Sequence, residues 1–191
     1  MLDFIDVCFD YEQKKVLDHF SLSLKKGEIV AVMGASGIGK STVLNLAAGL
    51  REPLSGRVEC NAQKISYAFQ DARLFPWMTV LENVNAVLSA KEESVPRAME
   101  ALRLVSLEDS ASLYPHELSG GMKSRVSLAR AIAYNGDLYL LDEPFSALDE
   151  QLRQSLSTAL RNHIRSQNAS ALLVTHQQSD VEQMADRIIY L

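Results

Sequence analysis

The sequence has few cysteines and no excess of basic residues, and each absence excludes a class of protein. Cys8 and Cys60 are its only cysteines, and two thiols far apart in sequence do not make a disulfide framework. This favours a reducing compartment. The 24 acidic residues outnumber the 19 basic residues, for a formal net charge of −5, so no global positive field is available to hold a nucleic-acid backbone. We therefore expect no nucleic-acid partner.

Long apolar runs are missing too. No stretch of the 191 residues approaches the ~20 apolar residues that a membrane-spanning helix needs. The first residues, MLDFIDV, contain two acids and no basic region followed by an apolar run, so we expect no secretory signal. The 47% hydrophobic and 23% charged residues are typical of a globular protein with a buried core.

What the sequence does contain is an alternation of strand and helix patterns. Residues 20–25 alternate apolar and polar side chains, which predicts one strand of an N-terminal antiparallel sheet. Short apolar strands are predicted at 28–33, 138–141 and 171–175, and helices at 41–50, 122–134 and 150–167. Strands that alternate with helices predict an α/β fold with a parallel sheet and right-handed crossovers.

The pattern becomes helical in the middle of the chain. Residues 79–90 and 96–107 favour helices and show little strand pattern. We interpret residues from about 71 to 135 as a helical subdomain inserted into an α/β core formed by residues 1–70 and 136–191. The 191 residues are then expected to form a single domain.

Residues 34–41, GASGIGKS, match the phosphate-binding pattern G-x-x-x-x-G-K-[ST], directly after a predicted strand and before a predicted helix. In such a loop, backbone N–H groups surround phosphate oxygens, Lys40 reaches the β and γ phosphates, and the Ser41 hydroxyl binds Mg²⁺. The motif therefore predicts binding of a nucleoside triphosphate together with Mg²⁺. The candidate nucleotide-binding residues of this segment are Gly34, Ala35, Ser36, Gly37, Ile38, Gly39, Lys40, Ser41 and Thr42.

Two adjacent carboxylates, Asp142 and Glu143, follow the predicted strand at 138–141. The carboxyl ends of parallel strands are where α/β folds bind ligands. Asp142 is a candidate Mg²⁺ ligand, and Glu143 is a candidate to polarise the attacking water. By itself an Asp-Glu pair at a strand end is more often part of a solvated loop, and the phosphate-binding loop is what favours the functional interpretation.

Residues 118–122, LSGGM, resemble the LSGGQ signature of ABC transporter ATPases, and the segment after them resembles the helix that follows the signature in that family. Other family elements appear in the family's order. Gln70 resembles the Q-loop glutamine, residues 146–149 (SALD) resemble the D-loop, and His176 resembles the switch histidine. Tyr11 lies where these ATPases stack an aromatic ring on adenine. The resemblance covers essentially the whole chain.

This resemblance implies an α/β, P-loop NTPase core of the ABC type with a mixed sheet, an N-terminal antiparallel β subdomain and an inserted helical subdomain. It also implies a head-to-tail dimer in which Ser119, Gly120 and Gly121 contact the nucleotide of the partner chain. The catalytic residues implied are Glu143, His176, Lys40 and Gln70, and the Mg²⁺ ligands implied are Ser41, Gln70 and Asp142.

Residues 73–84, RLFPWMTVLENV, resemble a segment of the nitrate, sulfonate and taurine importer ATPases. Phe75, Trp77 and Met78 offer apolar surface that a coupling helix of a membrane subunit could bury. The resemblance implies an ATPase subunit that powers solute import and is peripheral at the cytoplasmic face of the inner membrane. Its implied partners are a second, identical ATPase subunit, integral membrane permease subunits and a substrate-binding protein.

Two features depart from the family pattern. Met122 replaces the signature glutamine. The chain also stops at Leu191, where many relatives continue, and from this second feature we expect a minimal ATPase.

An alternative is a soluble ABC ATPase that acts as a nucleotide-driven clamp outside transport, but such proteins generally carry two ATPase domains, a long coiled-coil insertion or basic patches. Another alternative is a nucleotide-binding module that does not hydrolyse ATP. Such a module would be expected to lose Glu143, His176 or Lys40, and this sequence contains all three.

Overall fold

The computed structural model describes residues 1–11, 14–89 and 93–191. The described residues form eight strands in two sheets and six α-helices. The strands are β1 (Leu2–Tyr11), β2 (Lys14–Leu24), β3 (Ile29–Met33), β4 (Ser55–Cys60), β5 (Ile65–Ala68), β6 (Leu138–Asp142), β7 (Ser170–Thr175) and β8 (Arg187–Tyr190). The helices are α1 (Lys40–Ala47), α2 (Val80–Asn85), α3 (Ser94–Leu104), α4 (Gly120–Tyr134), α5 (Glu150–Ser166) and α6 (Gln178–Met184).

A five-stranded parallel sheet in the order β5-β6-β7-β3-β8 forms the centre of the molecule. Strands β3, β6 and β7 are buried at every position, which is why they are continuous apolar runs in the sequence. The antiparallel strands β2, β1 and β4 form a separate three-stranded sheet. We expected a mixed sheet. Among the described residues, the parallel strands pair with one another and the antiparallel strands pair with one another, so that the two types of pairing form separate sheets.

The sequence pattern did not reveal β1, and its register explains why. Leu2 and Phe4 are buried at even positions, whereas Val7 and Phe9 are buried at odd positions. A register shift between Phe4 and Val7 lies where Asp6 adopts a left-handed backbone, with φ 53°. Such a bulge reverses the face to which later side chains point, so no single period-2 pattern runs through the strand.

Two apolar clusters hold these layers together. One packs the antiparallel sheet and α1 against one face of the parallel sheet. The other joins α2, α3 and α4 to the opposite face, where Tyr139 and Leu141 of β6 are fully buried. The helical segment therefore shares its core with the parallel sheet.

The predicted helix at 79–90 is shorter in the structure. Thr79 caps α2 in a capping box with Glu82, and the helix ends at Asn85. Leu88 N–H donates to the Asn85 carbonyl, a tightened turn, while Val87 and Leu88 pack on the core. Residue 90 of the prediction lies outside the described residues.

Candidate active site

The carboxyl ends of neighbouring parallel strands bring the sequence motifs together. The phosphate-loop segment, residues 34–41, follows β3, His176 follows β7, and Glu143 follows β6. These three strands are adjacent, with Met33 paired to Thr175 and Asp142 paired to Val174. Motifs more than a hundred residues apart thus meet at one edge of the sheet, where α/β folds bind their ligands.

Lys40 lies inside the phosphate loop. Its side chain is only 5% exposed, and its ammonium donates to the carbonyls of Gly34 and Ala35 at 2.9 Å each. The Nζ atom also lies 3.9 Å from Oε1 of Glu143. The positive charge is therefore held at the floor of the loop, where phosphate oxygens would compete with these carbonyl and carboxylate oxygens.

Gly39 is required by a close approach of β2. Its φ of 120° is disfavoured for other residues, and an added Cβ would lie 2.4 Å from Cγ1 of Val16. A side chain at position 39 would therefore push the phosphate loop away from the antiparallel sheet.

Asp142 and Ser41 form a hydrogen-bonded pair beneath the loop. Ser41 Oγ donates to Asp142 Oδ1 at 3.1 Å, and Asp142 is 6% exposed. Burial raises the pKa of Asp142, and the neighbouring Glu143 raises it further, while Ser41 and the Lys40 ammonium oppose the shift. A bound cation would act in the same direction as Lys40 and favour the ionised carboxylate.

Glu143 adopts a strained backbone that directs its carboxylate back towards the phosphate loop. Its φ is 46° although it is not glycine, and its N–H donates to the Val174 carbonyl at 2.9 Å. Nδ1 of His176 lies 3.1 Å from Glu143 Oε1. Because a carboxylate only accepts, Nδ1 carries the proton of this bond and Nε2 is left for another partner. Strain of this kind concentrates at functional sites.

A cleft of about 320 Å³ opens over Lys40, Ser41 and Glu143, whereas the predicted residues Gly34, Ala35, Ile38, Asp142 and His176 do not line it. Of the predicted residues, Tyr11, Ser36, Gly37, Gly39, Lys40, Ser41, Thr42, Gln70 and Glu143 line it. Tyr11 is 42% exposed at the rim, with the Arg51 guanidinium 5.9 Å from its ring centroid. Gln70 lies beyond the end of β5, the neighbour of β6.

Among the described residues, Val16 and Asn45 also line the cleft, although they were not predicted from the sequence. Asn45 lies four residues after Ser41 on α1, hence on the same helix face, so helical spacing could have indicated it. It accepts a hydrogen bond from the Tyr67 hydroxyl at 3.2 Å. Val16 has no local signal, because only the packing of β2 on the phosphate loop brings it there.

The signature residues Ser119, Gly120 and Gly121 do not line this cleft. Ser119 caps α4 by accepting from the Met122 N–H at 3.2 Å. The Met122 side chain is half-buried and packs on the core of the helical segment, which gives the unusual signature residue an apolar role. The signature-like loop thus lies outside this cleft.

Gly121 brings the signature into contact with residues 146–149. An added Cβ would lie 2.7 Å from the Ala147 carbonyl oxygen, whereas a Cβ at Gly120 would meet nothing within 4 Å. Asp149, the last residue of that segment, caps α5 by accepting from the Leu152 N–H at 3.0 Å. The D-loop-like segment is therefore fixed between the signature and α5.

This contact leads to a matched pair of substitutions. We expect Gly121→Ala to lower the thermal unfolding midpoint, because overpacking against a backbone carbonyl typically costs about 1–3 kcal/mol. Gly120→Ala adds the same methyl group to open space and should leave the midpoint unchanged or raise it slightly. Differential scanning calorimetry of the two variants measures the difference, and equal midpoints would refute the contact.

Comparison with known proteins agrees with this geometry. A family model described as ABC transporter matches residues 17–146. The aliphatic sulfonates import ATP-binding protein SsuB of Pseudomonas putida is 42% identical over 188 residues, covering 95% of this chain and 69% of SsuB. The spermidine/putrescine import ATP-binding protein PotA of Escherichia coli K12 is 40% identical, covering 96% of this chain and 52% of PotA.

Solved structures show the same fold. The ATP-binding cassette MJ0796, as a dimer bound to ADP and Pi, superposes with a TM-score of 0.91 at 32% identity, over 100% of this chain and 94% of that one. A second dimeric structure of MJ0796 gives a TM-score of 0.92. The predicted α/β fold of the ABC ATPase type is confirmed. The chain therefore belongs to the ABC transporter family, as an ATP-binding and ATP-hydrolysing subunit.

Proposed function

We propose that this chain hydrolyses Mg²⁺-bound ATP between two copies of itself and so powers solute import through membrane permease subunits. The observation that carries the proposal is the meeting of Lys40, Asp142, Glu143 and His176 at the carboxyl ends of three adjacent strands. We propose for the other site residues predicted from the sequence the roles that the family resemblance implies.

The oxygen ligands beneath the phosphate loop suit Mg²⁺. An octahedral Mg²⁺ ion with bonds of 2.0–2.1 Å places neighbouring ligand oxygens about 2.9 Å apart, and Ser41 Oγ and Asp142 Oδ1 are separated by 3.1 Å. We propose that these two oxygens, with the Gln70 amide oxygen at the cleft wall, hold the ion directly or through water. Held by these residues, the ion would supply positive charge against the phosphate oxygens.

The protein groups divide the work of hydrolysis. Lys40 leaves its carbonyl partners to bind the β and γ phosphates, and Glu143 orients a water molecule in line with the γ-phosphorus. As the water oxygen bonds to phosphorus and a proton of that water passes to Glu143, the bond from phosphorus to the bridging oxygen of ADP breaks. His176 keeps Glu143 in position through Nδ1, which leaves its Nε2 to contact the γ-phosphate.

We propose that the signature completes the site of a second chain. Ser119, Gly120 and Gly121 lie outside the cleft of their own chain. Ser119 caps the Met122 N–H, and the first N–H groups of the 15-residue helix α4, which have no partner within the helix, are available for a phosphate of the partner's nucleotide. The dimeric structures of MJ0796 support this arrangement. The contact would be isologous, with both sites equivalent.

Mg²⁺-dependent ATP hydrolysis as a function of protein concentration tests the shared site. We expect the specific activity to rise with concentration and then to level off as the dimer forms. The molecular mass, measured at each concentration with and without ATP, should rise over the same range. A monomer that is fully active at every concentration would contradict the proposal.

The proposed contact with the permease lies in the loop before α2. Phe75 and Trp77 are 40% and 70% exposed, with ring centroids 5.7 Å apart. The fully buried Asn83 holds this loop by accepting from the Phe75 N–H and donating to the carbonyls of Phe75, Met78 and Thr79. Met78, by contrast, is half-buried and offers less surface than the sequence predicted.

We expect a Phe75→Ala, Trp77→Ala double variant to lose co-purification with the permease subunits while its nucleotide affinity stays unchanged. Removing two exposed aromatic side chains takes away most of the apolar contact area of the loop without touching the cleft. A Leu54→Ala variant, at another exposed apolar position, serves as the control. Full retention of the complex by the double variant would place the contact elsewhere.

The direction of transport follows from the relatives. The curated relatives SsuB and PotA are named as import proteins, and we propose import for this chain, with a substrate-binding protein delivering the solute. No helix among the described residues has both the length and the apolarity to cross a bilayer. We propose a peripheral position on the cytoplasmic face of the inner membrane, with the chain acting as one domain whose helical subdomain, residues 71–135, contacts the permease.

The solute itself is left to other subunits. SsuB, named for anionic sulfonates, and PotA, named for cationic polyamines, are 42% and 40% identical to this chain. Relatives that serve solutes of opposite charge are thus almost equally similar. We infer that the permease and the binding protein choose the solute.

A further inference from the structure

A group of metal-binding side chains lies on the antiparallel sheet, outside the nucleotide cleft. Cys8 of β1 and Asp18 and His19 of β2 offer ligand atoms that all lie within 4.8 Å of one another. Thiolate, imidazole and carboxylate are the ligands of zinc and of similar divalent transition metals. This ligand set differs from the all-oxygen set beneath the phosphate loop.

A bulge in the β1–β2 pairing creates the group. Phe9 pairs with Leu17 and Val7 pairs with Phe20, so Cys8 alone lies opposite both Asp18 and His19. Adjacent residues of a regular strand point to opposite faces. The left-handed backbone of His19, with φ 49°, removes that alternation and brings His19 Nε2 to 3.8 Å from Asp18 Oδ1.

Asp6 fixes the orientation of the imidazole. Its Oδ1 lies 2.8 Å from His19 Nδ1, so Nδ1 donates to Asp6 and Nε2, on the side of Asp18, is the ring nitrogen that a metal ion would take. Metal-binding histidines characteristically donate their second ring N–H to a carboxylate in this way. Asp6 itself has φ 53°, and a second register shift of β1 places it there.

The ligand atoms all lie within 4.8 Å of one another, an arrangement from which small movements would form a tetrahedral site. Zinc bonds of 2.0–2.2 Å to nitrogen and oxygen place the two ligands about 3.3 Å apart, and a bond of 2.3 Å to sulfur places the thiolate about 3.6 Å from either. The observed 3.8 Å between His19 Nε2 and Asp18 Oδ1 needs little closure. Cys8 Sγ, which accepts from the His19 N–H at 3.4 Å, approaches by rotation of its side chain.

We propose that Cys8, Asp18 and His19 bind a divalent transition metal ion of the zinc class, with Asp6 orienting the imidazole and water completing the coordination. Lys15 pairs with Asp18 at 2.7 Å and must release this ligand when the ion binds. The ion cross-links β1 and β2 in the sheet that carries Tyr11 and Val16 to the cleft, and thereby stabilises the sheet.

Titration of the reduced, nucleotide-free protein with Co²⁺ tests the proposal, because a bound thiolate gives an intense charge-transfer absorption in the near ultraviolet. We expect this absorption to saturate at one Co²⁺ per chain and to be lost on addition of Zn²⁺. Cys8→Ser should abolish it. Cys60→Ser, which removes the second half-buried cysteine, should leave it unchanged.

Three further variants separate the metal site from a merely structural cluster. His19→Asn should abolish binding without backbone strain, because asparagine tolerates the left-handed conformation. Asp6→Asn should weaken Co²⁺ binding about 10–100-fold. Lys15→Ala should strengthen it, because Asp18 loses its competing partner, and no loss of structure gives that result.

A failed titration overturns the proposal independently of ATP hydrolysis. No saturable absorption with the unmodified chain, absorption that survives Cys8→Ser, or absorption that requires Cys60 would each exclude the site. Folding of the Cys8→Ser and His19→Asn chains is checked by their retained Mg²⁺-dependent ATP hydrolysis, since neither residue lines the cleft.

Discussion

Replacement of Lys40 by alanine is expected to lower ATP turnover about 10²–10³-fold, the loss typical of removing one preorganised charge-stabilising group, and to weaken nucleotide binding. The ammonium is buried, is held by two loop carbonyls at 2.9 Å and lies 3.9 Å from Glu143. Without it, the carboxylates of Asp142 and Glu143 face the phosphates with less opposing charge. Steady-state hydrolysis and equilibrium binding of a labelled nucleotide measure the two effects.

Lys64→Ala is the matched control for this substitution. Lys64 is exposed, and its ammonium lies 4.8 Å from the Tyr134 ring centroid. It immediately precedes β5 and so lies at the amino ends of the parallel strands, whereas the cleft lies at their carboxyl ends. Its removal takes away the same charge and should leave turnover unchanged. Wild-type turnover by the Lys40→Ala protein would remove Lys40 from the mechanism, whereas an equal loss in both variants would point to net charge instead.

Glu143→Gln is expected to lower turnover about 10²–10⁴-fold, the range for loss of a general base, while ATP binding persists. The amide keeps the size of the side chain, its strained backbone and the neighbouring His176, but it cannot take the proton of the attacking water. Because ATP then stays bound without hydrolysis, two chains should remain joined. Single-turnover hydrolysis and the molecular mass with ATP test both parts of the prediction.

Glu182→Gln provides the control, since this exposed carboxylate on α6 accepts a hydrogen bond from Gln178 of its own helix and does not line the cleft. It should hydrolyse ATP at the normal rate and release the dimer after turnover. A Glu143→Gln chain that turns over normally would exclude Glu143 as the base. One that is inactive but monomeric with ATP would preserve the base and contradict the shared site.

The sequence by itself determined the parts of this protein that are local. The phosphate loop is eight consecutive residues between a strand and a helix, so backbone N–H groups, Lys40 and Ser41 are brought together by chain geometry alone. The fully buried strands β3, β6 and β7 could also be predicted locally, because strands buried on both faces are continuous apolar runs in the sequence. The remaining motifs were identified because they resemble those of the family and occur in the same order along the chain.

Sequence reasoning was less successful where one strand changes face or one helix tightens. The bulges at Asp6 and His19 break the period-2 pattern of β1 and β2, and α2 ends five residues before the predicted end. The bulges and the early end of α2 depend on backbone conformations that packing against neighbouring layers imposes. The residue types at these positions do not predict such conformations.

Only the tertiary structure decided which distant residues meet. Strand order places Lys40, Asp142, Glu143 and His176 at one sheet edge, packing of β2 brings Val16 against Gly39, and the absence of a side chain at Gly121 lets the signature approach Ala147. The Cys8, Asp18 and His19 group likewise exists only because two strands pair with a bulge between them. Contacts of this kind join residues through the cooperative packing of whole layers, and no local pattern records that packing.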